Sequence, residues 1–435
     1  MKKRLISLAM AAAMVFGGAA YLPEPLTAEC LYEYKTHGDL TYYAFPGQYV
    51  MITKCEKSAV NVTIPEELDD LPVEVIDKGA FYKCAALQSV YIPDSITAVR
   101  EEAFSGCTNL SKLRLSSNII SLGRGAFQNC TSLTSFSVPF GVKSINADLF
   151  YGCTGLKSVT MPEHITSIGD NAFTNCTSLG YVALPAQLDL VGRGAFLNCT
   201  KFTSVDLPEK TKTILMGAFS GCTALTTISI PDSVTKIERQ AFEGCTSLTS
   251  VRLPGGLECI YPYTFHDCYS LKSIDIPAYV TLIGGSAFYN CSSLETVTIP
   301  AGTTEIESYA FSNCDALRSA TVPASVKTIG TDAFRNNGIL TMYGYSGTRA
   351  ESYAGEYEIP FVALDKQLVK AKAGDMDGNG ARNLKDVVLL RRAIADGKDL
   401  SDQMGAADIN GDGKINLKDV ILLRRAIADG TADQL

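Results

Sequence analysis

The side chains best suited to chemistry sit in two twelve-residue stretches near the C-terminus. In the first, Asp375, Asp377, Asn379, Asn383 and Asp386 fall at positions 1, 3, 5, 9 and 12, with Gly380 at position 6. In the second, Asp408, Asn410, Asp412, Asn416 and Asp419 repeat the pattern around Gly413. Hard oxygen donors at this spacing wrap a hard cation, calcium above all. Glycine takes the sharp turn, and position 7 (Ala381, Lys414) offers its backbone carbonyl. Each loop gathers three carboxylates that repel one another until a cation neutralises them. Folding here is therefore expected to require calcium, two ions in all. Position 12 is aspartate, one methylene shorter than the glutamate usual there. Arg382 at position 8, where the second loop has Ile415, marks the first loop as the weaker site.

Each loop must be held by the element that follows it. Residues 383–397 return 33 residues later as 416–430, differing only in Val388 against Ile421. Apolar positions recur at helical spacing in both copies, which predicts two like helices. Paired loop–helix units of this EF-hand kind, with aspartate at position 12 and a Leu389-Leu390-Arg391-Arg392 helix, resemble a type I dockerin over residues 374–430. The resemblance implies a small all-α, calcium-binding domain that docks on cohesin modules of scaffoldin proteins, as in the cellulosomes that degrade polysaccharides. The family's recognition positions fall on Leu384, Lys385, Arg391 and Arg392, or equivalently on Leu417, Lys418, Arg424 and Arg425. The near-identity of the halves implies a pseudo-twofold surface, so either half can dock. Many family members carry a small pair such as Ser-Thr at the first two positions; Leu-Lys leaves the cohesin partner open.

The rest of the chain follows a different period. Phenylalanine returns every 23 residues, twelve times, from Phe81 to Phe334. An alanine usually precedes it, and an aliphatic residue stands five before it (Ile76, Val99, Leu122 and onward). In eleven units a cysteine stands three after it. A fixed period of this length marks a solenoid, in which each turn buries its apolar face only against its neighbours. Within a unit, Leu248, Val251 and Leu253 point inward, the last two at strand alternation, and Pro254 ends the strand by withholding its N–H. Proline recurs at that place except where Ser116 stands. A second short strand ends on the aliphatic column, and Gly217-Ala218-Phe219 through Cys222 reads as a helical turn. Twelve turns of roughly 4.8 Å give an array about 55–60 Å long, with the phenylalanines stacked along its spine. These units resemble the BspA-like branch of the leucine-rich-repeat proteins over residues 31–364, which implies a leucine-rich-repeat solenoid of short strands and turns. Asn337 departs from the pattern at the last cysteine position. Residues 340–364 look like that family's closing strand–helix–strand cap.

The chain so divides into a signal peptide (1–28), a β-rich N-terminal cap (29–75), the repeats (76–340), a C-terminal cap (341–364), a linker with Lys366, Lys370 and Lys372 (365–373) and the dockerin (374–435). Lys2, Lys3 and Arg4 precede an apolar, small-residue run to Ala20, an export signal cleaved after Ala20 or Ala28. The expected location is extracellular, on a cellulosome or a cell surface. A net charge of −8 argues against a nucleic-acid partner. No later stretch is long and apolar enough to span a bilayer, so no transmembrane anchor is expected. Fourteen cysteines in an exported chain would ordinarily suggest disulfides. Eleven in one column read instead as a ladder of reduced, buried thiols. Cys30 and Cys55 lie outside it, and whether they bridge stays open; Cys259 reads as a free thiol.

The repeats offer no catalytic set. His37, His164 and His266 occupy unrelated columns, and the acids are scattered without a duplicated pair of the glycosidase kind. The exposed strand columns are mostly serine and threonine and form no aromatic platform. One candidate ligand patch is rich in aromatic residues: Tyr261, Tyr263, His266, Tyr269, Tyr279 and Tyr289. The expected function is a secreted, non-catalytic binding protein attached to a scaffoldin, its repeats recognising a protein or glycan. The alternatives are an enzyme or enzyme inhibitor of the cellulosome with an unadvertised site, and a free cell-surface adhesin.

Overall fold

The computed structural model describes residues 33–365, 373–377, 381–397, 400 and 404–432. The export signal, Cys30 and the linker lysines lie outside the described residues. The chain opens with β1 (Lys35–His37), β2 (Leu40–Ala44) and β3 (Val50–Cys55), which pair antiparallel. After β4 (Asn61–Thr63), β5 (Glu67–Leu68) and β6 (Leu71–Ile76) form a tight hairpin. Its central residues, Asp69 and Asp70, hold φ of 56° and 60°, the left-handed pair that matches strand twist in a two-residue turn. Strand β3 pairs in parallel with β6, so the antiparallel edge hands over to the parallel array.

From there the chain climbs in 23-residue turns, about 14 in all once the flanking turns are included. Two parallel ladders run along it. On the long-strand face, Ile228 of Thr227–Ser229 pairs with Val205 below and Val251 above. On the short-strand face, Ile214 sits between Val191 and Ile237. Side chains alternate across a strand, so in strands such as Thr227–Ser229 and Ser250–Arg252 the middle residue is buried while its polar neighbours face water.

The third side is not the helical turn that the sequence predicts. Ala218 N–H donates to Leu215 O and Cys222 N–H to Phe219 O, both at 3.2 Å, closing successive turns. Gly217 and Gly221 break helical geometry with φ of 64° and 69°. Phe219 N–H then crosses to Ala241 O of the next unit at 2.9 Å. Donors that a helix would use internally are taken by the neighbouring turn, and the alanine is small because its carbonyl must be reached.

Inside, the rings stack from Phe81 to Phe334 with centroids 4.6 to 6.2 Å apart and planes within 18°. The ladder cysteines carry free thiols. From Cys107 to Cys314 each donates to the phenylalanine carbonyl 26 residues earlier, at 3.0 to 3.3 Å. Burial pushes the Cys153 and Cys222 thiols up to about 12. Cys84 differs: the adjoining Cys55 thiol and the Lys57 ammonium, 3.9 Å from its sulfur, hold it below the ordinary thiol range. Cys55 is buried and free, and Cys259 is a half-buried free thiol.

The array ends by substitution. Asn337 takes the cysteine's place, its Nδ2 donating to Phe311 O at 2.9 Å and its Oδ1 accepting from Cys314 N–H at 2.8 Å. Helix α1 (Arg349–Glu356) lies between strands Thr341–Gly344 and Phe361–Ala363. From it, the Tyr353 hydroxyl accepts the Phe334 N–H at 3.1 Å, and the Tyr357 hydroxyl accepts that of Asp332 at 3.1 Å. These phenols stand where the carbonyls of a further turn would be, so the last donors are satisfied.

The C-terminal unit has its own small core. Helices α2 (Leu384–Ala395) and α4 (Leu417–Ala428), with the short α3 (Met404–Ala407), bury Val387, Leu390, Ala407, Val420 and Leu423 together. Among the described residues no helix is long and apolar enough to cross a membrane.

Candidate functional site

Asn383 and Asn416 begin the two long helices because their side chains accept the N–H of Lys385 and Lys418, each at 2.9 Å. Three residues on, Asp386 reaches back to accept the Asn383 N–H at 2.8 Å, completing a capping box. Its other oxygen accepts from Met376 N–H at 2.9 Å and Asp377 N–H at 3.2 Å. Asp419 repeats this with Asn416 N–H at 2.8 Å and Ile409 N–H at 2.9 Å. Both carboxylates are fully buried. The shorter side chain at position 12 thus serves as cap and as anchor for the start of its loop.

In the first loop, ligand oxygens of Asp375, Asp377 and Asp386 lie within 4.8 Å of one another. Three carboxylates this close and this buried are costly unless a positive charge compensates them. An all-oxygen set of this charge suits calcium. When bound there, the ion would supply that charge and join the loop to its helix. The Lys385 ammonium reaches Asp377 at 2.8 Å, and that hydrogen bond raises its pKa. Asn383 Nδ2 donates to the carbonyl of Ala381 at 3.3 Å. Asn379 and Gly380 lie outside the described residues.

In the second loop, Asp408 accepts from Gly413 N–H at 2.8 Å and Asp412 N–H at 3.2 Å, while Asn410 accepts from Asp412 N–H at 2.9 Å. Gly413 holds φ of 79°, and Asn416 Nδ2 donates to Lys414 O at 3.2 Å. The tight convergence of three carboxylates is seen, among the described residues, in the first loop alone.

The two helices leave matching faces in solvent. Leu384 and Val388 are exposed on α2, as are Leu417 and Ile421 on α4, each at 60% or more. Arg391, Arg392, Arg424, Arg425 and Lys418 are exposed as well. Arg392 and Arg425 lie 3.6 Å from Asp396 and Asp429 one turn on. Val388 and Ile421 escape the sequence reading. Their spacing of four from Leu384 and Leu417 would have found them, being an apolar pair that the core does not use.

In the aromatic patch on the repeats, His266 lies against Tyr289, stacked at 5.0 Å, and near Tyr263 at 5.5 Å, with Asp267 3.2 Å from its Nδ1. Tyr269 is exposed just beyond, and Tyr261 is half-buried beside Cys259–Ile260. Tyr279 is 71% exposed in the turn before the strand Leu282–Ile283.

Residues 53–179, 121–225 and 212–341 match the family described as BspA type Leucine rich repeat region. The chain belongs to this family. Residues 373–428 of the leucine-rich-repeat protein match the Dockerin type I domain, a domain type that binds calcium. Similar solved structures include a leucine-rich repeat protein from Bacteroides ovatus, 24% identical, covering 76% of this chain and 99% of its own, with a TM-score of 0.60. A leucine rich cell surface protein from Faecalibacterium prausnitzii is 29% identical, covering 74% and 97%, with a TM-score of 0.51. The pneumococcal vaccine antigen PcpA shares the fold at 16% identity, covering 76% and 98%, with a TM-score of 0.51. No curated protein matches the chain.

Proposed function

We propose that this leucine-rich-repeat protein is a secreted, non-catalytic binding module that its dockerin attaches to a cohesin module of a scaffoldin. The observation that carries this reading is the pair of like, outward apolar faces, Leu384 with Val388 and Leu417 with Ile421, each on a helix whose first turn holds a buried loop carboxylate. Exposed apolar residues at matched places on two copies are costly in water and suit a partner that accepts either copy. Lys385, Arg391 and Arg392, or Lys418, Arg424 and Arg425, would rim the contact. Each loop would hold one calcium ion through its side chains at positions 1, 3, 5, 9 and 12 and the carbonyl of Ala381 or Lys414. Losing the ion would loosen the loop that Asp386 or Asp419 ties to its helix, and with it the docking face. The similar Faecalibacterium protein is a cell surface protein, in keeping with an extracellular location.

The test is capture of the full chain on immobilised cohesin modules, with calcium and with a chelator. Capture in calcium that the chelator abolishes is the expected result. Capture indifferent to the chelator, or none by any cohesin, would overturn the reading.

A further inference from the structure

Phe140 has the largest fractional exposure of the large apolar side chains among the described residues, 79%. The ring stands beside a strand face of serines and threonines, where it can add apolar contact to a ligand that also meets the polar groups. It is held in place: the ring meets His164 edge-on at 4.8 Å, and His164 Nε2 lies 3.0 Å from Val142 O. Next to it opens a cavity of about 740 Å³ that spans three turns of the solenoid, with Phe140 and Arg114 both in its wall. The long-face ladder is interrupted there. Strand Lys112–Arg114 pairs with Ser89–Tyr91 and strand Ser135–Ser137 with Ser158–Thr160, but the two pairs are not joined.

Arg114 makes no ion pair among the described residues. Its guanidinium lies over the Tyr91 ring, 4.7 Å from the centroid, and among the described residues no carboxylate pairs with it or with Lys112. Arg252, in the same column, is met by Asp232 at 2.7 Å; Asp94, at the equivalent place before Arg114, accepts the Ser117 N–H at 3.3 Å and makes no ion pair with Arg114. Two exposed cations on one strand of an acidic chain, without acidic partners, call for an anionic ligand.

We propose that this groove binds a polysaccharide bearing carboxylate groups, with Arg114 gripping a carboxylate and Phe140 lying against the apolar face of a sugar ring. The planar guanidinium can hold a carboxylate through two parallel hydrogen bonds. Ser137 and Thr160, whose hydroxyls lie 3.1 Å apart in the same wall, offer donors and acceptors to sugar hydroxyls. An acidic peptide fits less well. Strand addition would need a gap of two rung spacings, yet Phe104 and Phe127 stack across the break at 5.4 Å, leaving a single rung spacing. The inference rests on the proposed binding role of the repeats and names the ligand class for them.

The test uses the full chain with calcium and three probes: polygalacturonate, its fully methyl-esterified form, and polyglutamate. Titration calorimetry is expected to show binding to polygalacturonate alone. Arg114→Gln should weaken it by about tenfold or more and Phe140→Ala by about fivefold. Both variants should keep the parent's melting temperature and cohesin capture, since both side chains are exposed. No binding to polygalacturonate, binding unchanged in both variants, or equal binding to polyglutamate or to the esterified polymer would overturn the proposal. Intact cohesin capture alongside such a result would sink this inference and leave the dockerin reading standing.

Discussion

Duplication works in opposite ways in the two parts of this molecule. In the repeat array each buried group meets a copy of itself: Phe219 stacks between Phe196 and Phe242 at 5.4 and 5.7 Å, and each thiol meets a neighbouring unit's carbonyl. In the C-terminal unit the two copies pack on each other, and each keeps a fully buried carboxylate, Asp386 or Asp419. The array is completed by hydrocarbon and backbone that the chain itself supplies. The first C-terminal loop gathers three carboxylates that a bound cation would compensate, in a domain type that binds calcium. On the proposed reading, the rod presents a constant face while calcium makes attachment of the C-terminal unit conditional.

The contrast breaks hardest at the buried carboxylates. Replacing Asp386 and Asp419 together by alanine should abolish cohesin capture, a loss of roughly a hundredfold or more, with the array's melting transition unmoved. Surface plasmon resonance and calorimetry on the same samples check both halves of that statement. Next in size is the hydrocarbon column. Phe219→Ala should cost the array about 3–5 kcal/mol by denaturant unfolding while leaving cohesin capture intact.

A smaller effect separates the parts by pH. The ladder thiols ionise near 9.0 when ordinary, and Cys153 and Cys222 are raised to about 12 by burial. A raised acid contributes stability that is whole below pH 9 and is lost as pH climbs towards 12, because the unfolded chain ionises first. Denaturation midpoints of the array should therefore be flat below pH 9 and fall above it, and Cys222→Ala should soften that fall. Smallest of all, Arg391→Ala alone should change cohesin affinity by less than about twofold, since Arg424 presents the same surface on the other copy. The paired substitution should exceed twice the single effect in free energy.

Much of this was legible in the sequence, for physical reasons. A period of 23 can be satisfied only by stacking, so the phenylalanine, cysteine and aliphatic columns announce their burial together. The loops were legible because ion coordination demands oxygen at set intervals. What resisted depends on contacts between units. The turn at Phe219 reads as helical from its own residues, and only the Ala241 carbonyl of the next unit explains why it is not. Phe140 follows Pro139 in a variable column, where nothing periodic flags a ring kept in water. Within the aromatic patch, His266 stacks on Tyr289 one 23-residue unit on, again a contact between units.

Hydrogen exchange across the whole chain, with calcium and then with a chelator, tests the central division most directly. The account predicts that amides of residues 384–395 and 417–428 lose their protection when calcium is removed, while those of the array between Phe81 and Phe334 keep theirs. Protection in both helices that survives chelation, or a loss that spreads through the array, would contradict it.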